Sequence, residues 1–167
     1  MSLATVDVMN QPSCRTVLLK GITEDGFEFY TNYNSRKAME MEQQPKVVPL
    51  LLWKELERQV RIEGRVEKVS KERSRQYFQS RPKESQIGAW ASPQSEVIPD
   101  RSVLDAEVRR LEKEYEEQHV LPLPDDWGGY LVKPTLFEFW QGRENRLHDR
   151  FQYTSHEGDW IIERLAP

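Results

Sequence analysis

The sequence is poor in the residues from which disulfide-stapled and metal-bound folds are built. It has one cysteine, Cys14, which cannot form an internal disulfide and suits a reducing compartment. Its three histidines, His119, His148 and His156, are too scattered to suggest a zinc site. A long apolar run is also missing. The longest, Val47 to Trp53, is far too short to span a bilayer, and the first residues lack the basic and apolar regions of a signal peptide. No membrane or targeting segment is therefore expected, and the location read from the sequence is cytoplasmic. Nor is there a basic excess: 24 Lys and Arg stand against 28 Asp and Glu, a net charge of -4, which argues against a nucleic-acid partner and makes any anion site local. The sequence has no G-x-G-x-x-G loop, P-loop, G-x-S-x-G elbow or H-E-x-x-H pair, which narrows the field to redox chemistry or binding.

What remains is an ordinary folding chain. Its 167 residues, 37% hydrophobic and 31% charged, suffice for one core that buries roughly 70% of the unfolded surface, so a single domain over residues 1–167 is expected. Short strands are predicted at Leu3 to Val6, Thr16 to Leu19, Phe27 to Thr31, Val47 to Trp53 and Arg58 to Val66. In the last of these, Val60, Ile62 and Val66 point one way and Gln59, Arg61, Glu63 and Arg65 the other. Further strands are predicted at Tyr130 to Lys133, Leu136 to Trp140, Arg150 to Tyr153 and Trp160 to Leu165. Helices are predicted at Ser35 to Gln43, at Ser70 to Arg81 where Pro82 stops the helix, and from Ser102, with Ser102 and Asp105 resembling a capping box. In that last helix Leu104, Val108, Leu111 and Tyr115 form one stripe. Many short strands with inserted helices and no strand-helix alternation predict a closed or partly closed antiparallel sheet.

Three polar clusters carry candidate chemistry. Arg15 to Lys20 is followed by Ser35-Arg36-Lys37 at a helix start, where free amides favour an anion, although Arg36 and Lys37 could equally be solvated charges. Tyr77, Arg81 and Ser85 recur at intervals of four and could share a phosphate, or Tyr77 could pack its ring while Arg81 covers a helix end. In Trp140-Gln141-Gly142 and the run from Arg146 to Arg150, an extended chain would crowd Arg146, His148 and Arg150 onto one face, which calls for an anion or acceptor opposite.

These clusters lie within longer strings. Ser80-Arg81-Pro82, Ser85-Gln86-Ile87-Gly88-Ala89-Trp90 with Gln94-Ser95, Glu138-Phe139-Trp140-Gln141-Gly142, Asn145 to Arg150 and the closing Glu163-Arg164-Leu165-Ala166-Pro167 resemble the pyridoxamine 5'-phosphate oxidase family over essentially the whole chain. The resemblance implies a mainly β fold with inserted helices, an FMN-binding split β-barrel of antiparallel Greek-key type. It further implies a homodimer with FMN at the subunit interface. The FMN contacts it implies are Arg15, Thr16, Val17, Leu18, Leu19, Lys20, Tyr30, Thr31, Arg36, Lys37, Gln59, Gln94, Ser95, Trp140 and Arg150. Lys20, Tyr77, Arg81 and Ser85 would bind the substrate's phosphate, and Arg146 and His148 would hold its ring as the catalytic pair. The implied reaction is oxidation of pyridoxamine or pyridoxine 5'-phosphate to pyridoxal 5'-phosphate with O2 as acceptor, releasing H2O2. The alternative is an FMN or pyridoxal phosphate binding protein of the same fold with impaired turnover. A split-barrel flavin reductase using nicotinamide is a further rival, against which Arg81, Ser85 and Arg146 speak. Two departures from the family pattern stand out. The family's N-terminal covering segment is absent upstream of Met1, and Pro49 interrupts a predicted strand, where an edge position or bulge is expected.

Overall fold

The computed structural model describes all 167 residues. In chain order the strands and helices are β1 (Ser2–Val6), β2 (Pro12–Thr16), β3 (Gly21–Thr23), β4 (Gly26–Asn32), α1 (Arg36–Gln43), β5 (Lys46–Trp53), β6 (Arg58–Lys68), α2 (Lys71–Gln79), α3 (Lys83–Ala91), α4 (Ser102–Glu114), β7 (Trp127–Gln141), β8 (Asp149–His156) and β9 (Asp159–Leu165). The strands form one sheet in the order β2-β1-β5-β6-β7-β4-β3, with β8 on β7 and β9 on β8. The β1/β2, β1/β5, β3/β4, β5/β6, β7/β8 and β8/β9 pairs are all antiparallel. The mainly antiparallel sheet with inserted helices is thus the one the sequence predicts.

The chain divides into two compact units, one of residues 1–29, 40–67 and 131–167 and the other of residues 30–39 and 68–130. The first is built on the sheet. Its strands bury alternate residues, Leu3 and Thr5 on β1 and Ile62 and Gly64 on β6, because successive side chains leave a strand on opposite faces. Leu3, Phe29, Met41, Val47, Ile62 and Val132 are its most deeply buried apolar side chains. Gly26, at φ +146°, lets β4 approach β7: a Cβ there would lie 2.0 Å from the Val132 carbonyl oxygen. β9 is different, with Trp160, Ile161 and Ile162 all at least 41% exposed.

The second unit is helical. Phe78 of α2, Ile87 and Ala91 of α3 and Leu111 of α4 form a core with Leu121 and Trp127, and Val108 and Tyr115 of the α4 stripe pack against it. Ser70 caps α2 by accepting from the Arg73 amide. Buried Gln86 closes the turn between α2 and α3, donating to the Gln79 and Arg81 carbonyls and accepting from the Leu121 amide.

Several predicted boundaries move. Val17 to Leu19 are not a strand: Val17 N–H donates to the Met1 carbonyl and Lys20 N–H to that of Glu28, so the segment makes crossing contacts rather than a ladder. α2 ends at Gln79, and α3, absent from the sequence reading, follows Pro82 at once. No Ser102 capping box forms; Asp100 accepts from the Ser102 amide, and Asp105 pairs with Arg101. Pro134 does not divide β7, which runs unbroken for 15 residues. Pro49 lies on neither an edge nor a bulge. Central β5 pairs it with Leu3 of β1, while the β5/β6 register passes from Val47↔Gly64 to Leu50↔Arg61 without a slip, so the missing donor is accommodated by a local gap in the ladder.

Candidate functional site

The helical unit holds a cavity of about 380 Å³ lined by Tyr30, Thr31, Asn32, Arg81, Ser85, Gly88, Ala89, Ser92, Gln94 and Trp127. Tyr30 and Trp127 of its wall stack with centroids 5.7 Å apart, and Tyr77, which is not among the lining residues, stacks on Tyr30 at 3.9 Å. Arg81, in the turn between α2 and α3, lays its guanidinium 4.9 Å from the Trp127 ring centroid and 5.7 Å from that of Phe78. Its Nη1 is buried without a hydrogen-bond partner. Burial pushes the guanidinium below its ordinary pKa, opposed only by Tyr77, with no carboxylate close enough to help. A buried cationic nitrogen lacking a partner is costly, and an anion in this cavity would supply one. Ser85, in the first turn of α3, offers a hydroxyl to the same space.

A second polar group opens α1. Lys37, buried, donates from Nζ to Ser35 Oγ at 3.0 Å and Gln94 Oε1 at 3.1 Å, and Thr31 Oγ1 donates to the same Gln94 oxygen at 3.0 Å. Ser35 Oγ donates to the Asn32 carbonyl. Lys37 stands in the first turn of α1, and a helix N-terminus is a place where a phosphate is electrostatically welcome. Arg36 is exposed, and Ser95 is exposed at φ 76°.

In the sheet unit the remaining candidates fall into three places. Arg15 is committed to structure: it donates to the Leu3 carbonyl, Thr5 and Ser13, and pairs with buried Glu40 at 3.2 Å. Thr16, Leu18 and Lys20 are exposed beside half-buried Leu19 and buried Val17. Trp140 of β7 lies directly opposite Arg150 of β8, and alternation puts both on the face that carries Glu138. Glu138 is buried and spans two cations, accepting from Arg150 Nε at 2.8 Å and Arg61 Nη2 at 2.7 Å. Arg61 shares its face of β6 with Gln59 two residues earlier.

The predicted extended run from Arg146 to Arg150 does not exist. Residues Glu144–Arg146 form a tight turn with Asn145 and Arg146 at left-handed φ of 57° and 63°, and β8 starts only at Asp149. Arg146, His148 and Arg150 therefore do not alternate along one strand. Arg146 is exposed, whereas the His148 ring packs 4.6 Å from that of Trp140 and its Nδ1 accepts from the Arg143 amide at 3.1 Å. That bond leaves Nε2 to carry the proton of the neutral ring.

Comparison with known proteins decides what such residues belong to. Residues 1–115 match the model of the pyridoxamine 5'-phosphate oxidase family, and residues 127–167 match the pyridoxine 5'-phosphate oxidase C-terminal dimerisation region. The chain belongs to the pyridoxamine 5'-phosphate oxidase family. It is 55% identical to the pyridoxine/pyridoxamine 5'-phosphate oxidase of Acaryochloris marina across all of this chain and 76% of that protein. Among solved structures it superposes on PhzG of Burkholderia lata, bound to tetrahydrophenazine-1-carboxylic acid, with a TM-score of 0.93 and 29% identity, over 99% of this chain and 81% of the other. It also superposes on a pyridoxamine 5'-phosphate oxidase-related, FMN binding protein of Nostoc punctiforme at a TM-score of 0.76 and 21% identity, over 99% and 87%. The fold is that of the family, as the motifs implied.

Two residues of this oxidase-family chain were given no role by its sequence. Trp127, preceding Gly128-Gly129, forms the floor under Arg81. Glu138, a single carboxylate in the aromatic run from Phe137 to Trp140, joins Arg61 and Arg150; its isolation in that run and its place at the head of a family string were the available signals.

Proposed function

We propose that the protein is an FMN-dependent oxidase that converts pyridoxamine 5'-phosphate and pyridoxine 5'-phosphate to pyridoxal 5'-phosphate. The supporting observation is Arg81, whose buried Nη1 has no partner in a cavity it shares with Ser85. Those two groups, with Tyr77 and Lys20, are the proposed grip on the substrate's phosphate. The chemistry suits a dianion: a guanidinium gives charge-assisted hydrogen bonds, and this one packs over the Trp127 and Phe78 rings.

The residues present also fit FMN. Lys37, oriented by its bonds to Ser35 and to Gln94, which Thr31 also holds, is proposed to face the cofactor phosphate together with Arg36 and Ser95. Gln59, Trp140 and Arg150 share one sheet face and suit a planar ring with hydrogen-bonding edges, and Arg15 to Lys20 with Tyr30 complete the proposed contacts. When bound, FMN supplies the two-electron oxidation at the substrate's 4' carbon and passes the electrons to O2. For the amine the balance is R–CH2–NH2 + O2 + H2O giving R–CHO + NH3 + H2O2. Arg146 orients the substrate ring, and His148, with Nδ1 engaged, donates from Nε2 to a substrate oxygen or nitrogen. The match of residues 127–167 to a dimerisation region, together with the exposed Trp160, Ile161 and Ile162 of β9, supports a homodimer with FMN at the subunit interface.

The test is to reconstitute the protein with FMN, add pyridoxamine 5'-phosphate under air and measure pyridoxal 5'-phosphate and peroxide. Equal amounts of both are expected; flavin binding without either product would leave only the reading of a binding protein. The likeness to PhzG favours a second reading, oxidation of a reduced heteroaromatic carboxylic acid, whose carboxylate Arg81 could also hold. Offering both substrates in one assay separates the two, since a phosphate oxidase is inhibited by inorganic phosphate and turns over the carboxylic acid poorly.

A further inference from the structure

Glu138 of the sheet unit is a buried carboxylate engaged on both oxygens. Its Oε1 accepts from Arg150 Nε at 2.8 Å, and its Oε2 accepts from Arg61 Nη2 at 2.7 Å and Nε at 3.3 Å. The side chain is 6% exposed, and those hydrogen bonds, Arg150 first, hold the carboxyl below its ordinary pKa against the opposing effect of burial. Arg150 is fixed at a second point, since its Nη1 donates to the Ala166 carbonyl at 2.8 Å. With Nε and one Nη1 hydrogen engaged, the outer edge of the fork, the second Nη1 hydrogen and those of Nη2, is left for anything that binds over Trp140, its cross-strand neighbour.

We propose that Glu138 is a positioning residue of the flavin site, its carboxylate locking Arg150 so that the free edge of the guanidinium is already aimed when FMN binds. This rests on the proposed flavin contact of Arg150. Only a carboxylate serves both guanidiniums, because each of its oxygens is an acceptor, whereas an amide would turn an NH2 donor against one of them. Locking also removes the rotamer freedom that a long side chain would otherwise lose on binding. Arg61, balanced further by Glu63, holds the other side of the carboxylate, and the four groups sum to zero charge. The lock therefore presents Arg150 without a surplus field.

The experiment is a double-mutant cycle on the full chain, read as FMN affinity from quenching of free flavin fluorescence. Glu138→Gln is expected to weaken FMN about tenfold, the range for a charge-assisted bond, as is Arg150→Ala. The double variant should bind no more weakly than Arg150→Ala alone, because Glu138 acts through that side chain. A merely structural role for Glu138 would instead lower the urea midpoint and leave the cycle additive. Additive losses, or a Glu138→Gln protein that binds FMN like the parent, overturn the proposal. If Glu138→Gln shows no cooperative unfolding, Glu138→Asp, which keeps the charge but shortens the reach by a methylene, takes its place in the same cycle. A parent protein that binds no FMN defeats the oxidase reading and this inference together. A parent that binds FMN, with Arg150→Ala binding as tightly, defeats the inference alone.

Discussion

Replacing Arg81 with Met should damage activity and leave the fold intact or firmer. The guanidinium contributes to stability through its rings, and a partly exposed cation–π contact is worth about 0.5–1 kcal/mol. Against this stands the buried Nη1 without a partner, a penalty of about 1–3 kcal/mol that Met removes while keeping much of the apolar stem's packing on Trp127 and Phe78. Set against one such contact, the difference favours the variant by about 0–2.5 kcal/mol. With substrate present the sign reverses, since a charge-assisted bond to phosphate is worth about 1.5–3 kcal/mol, or roughly ten- to a hundredfold in kcat/KM. The assay pairs urea unfolding of the flavin-free protein with kcat/KM for pyridoxamine 5'-phosphate and for unphosphorylated pyridoxamine. A loss of more than about 1 kcal/mol of stability would mean that Arg81 is satisfied within the fold. Equal losses on the two amines would mean that it does not hold the phosphate.

Gly26→Ala should destabilise the sheet unit by roughly 3 kcal/mol or more, because the new Cβ meets the Val132 carbonyl at 2.0 Å in a conformation that L residues avoid; chemical denaturation checks it. Lys37→Met should weaken FMN by about tenfold or more while leaving riboflavin nearly unaffected, as measured by fluorescence titration; equal weakening would remove Lys37 from the phosphate site. Acid should unfold the protein through Glu138 and Asp149, both held below the ordinary carboxylate range, the first by Arg150 and Arg61, the second by Arg164 and Arg143. A depressed folded pKa gives stability that is present above the unfolded value, about 4 for these groups, and lost as pH falls through the folded value. Glu138→Gln should therefore flatten the fall of stability below about pH 4, and an unchanged slope in pH-dependent denaturation would deny the pair that role.

Local pattern decided what could be read ahead of the structure. The alternation of Val60, Ile62 and Val66 became β6 with little change, and the stripe from Leu104 to Tyr115 became α4, since each element buries one face in step with its own period. Lys83 to Ala91 has no such period: its few apolar residues are interrupted by Gly88, and the helix is held by Gln86 reaching to Leu121, a partner 35 residues away. The supposed strand from Arg146 failed for a related reason. Alternating charge looks like a strand whether or not the backbone is extended, and the left-handed Asn145 and Arg146 turn the chain before β8 begins. The candidate site residues were nameable from motifs in the sequence. Their neighbours were not, because Trp127 meets Arg81 from 46 residues away and Glu138 meets Arg61 from 77.

The cations of the candidate site differ in how their charge is balanced, and this bears on what each can hold. Arg15 is neutralised by Glu40, and Arg150 by Glu138, so what these two retain for a ligand is hydrogen-bonding direction. A neutral ring with carbonyl and nitrogen acceptors makes use of direction alone. Arg81 has no carboxylate and a buried nitrogen without a partner, so its attraction for an anion is undiminished by any internal ion pair. A dianionic phosphate makes use of that charge, in surroundings where low polarity strengthens it. Had the balance been reversed, with a carboxylate beside Arg81 and none beside Arg150, a phosphate would have had to displace an internal ion pair while the ring faced an uncompensated cation. The placement of Glu40 and Glu138 thus supports, on electrostatic grounds, the proposal that Arg150 meets the flavin ring and Arg81 the substrate phosphate.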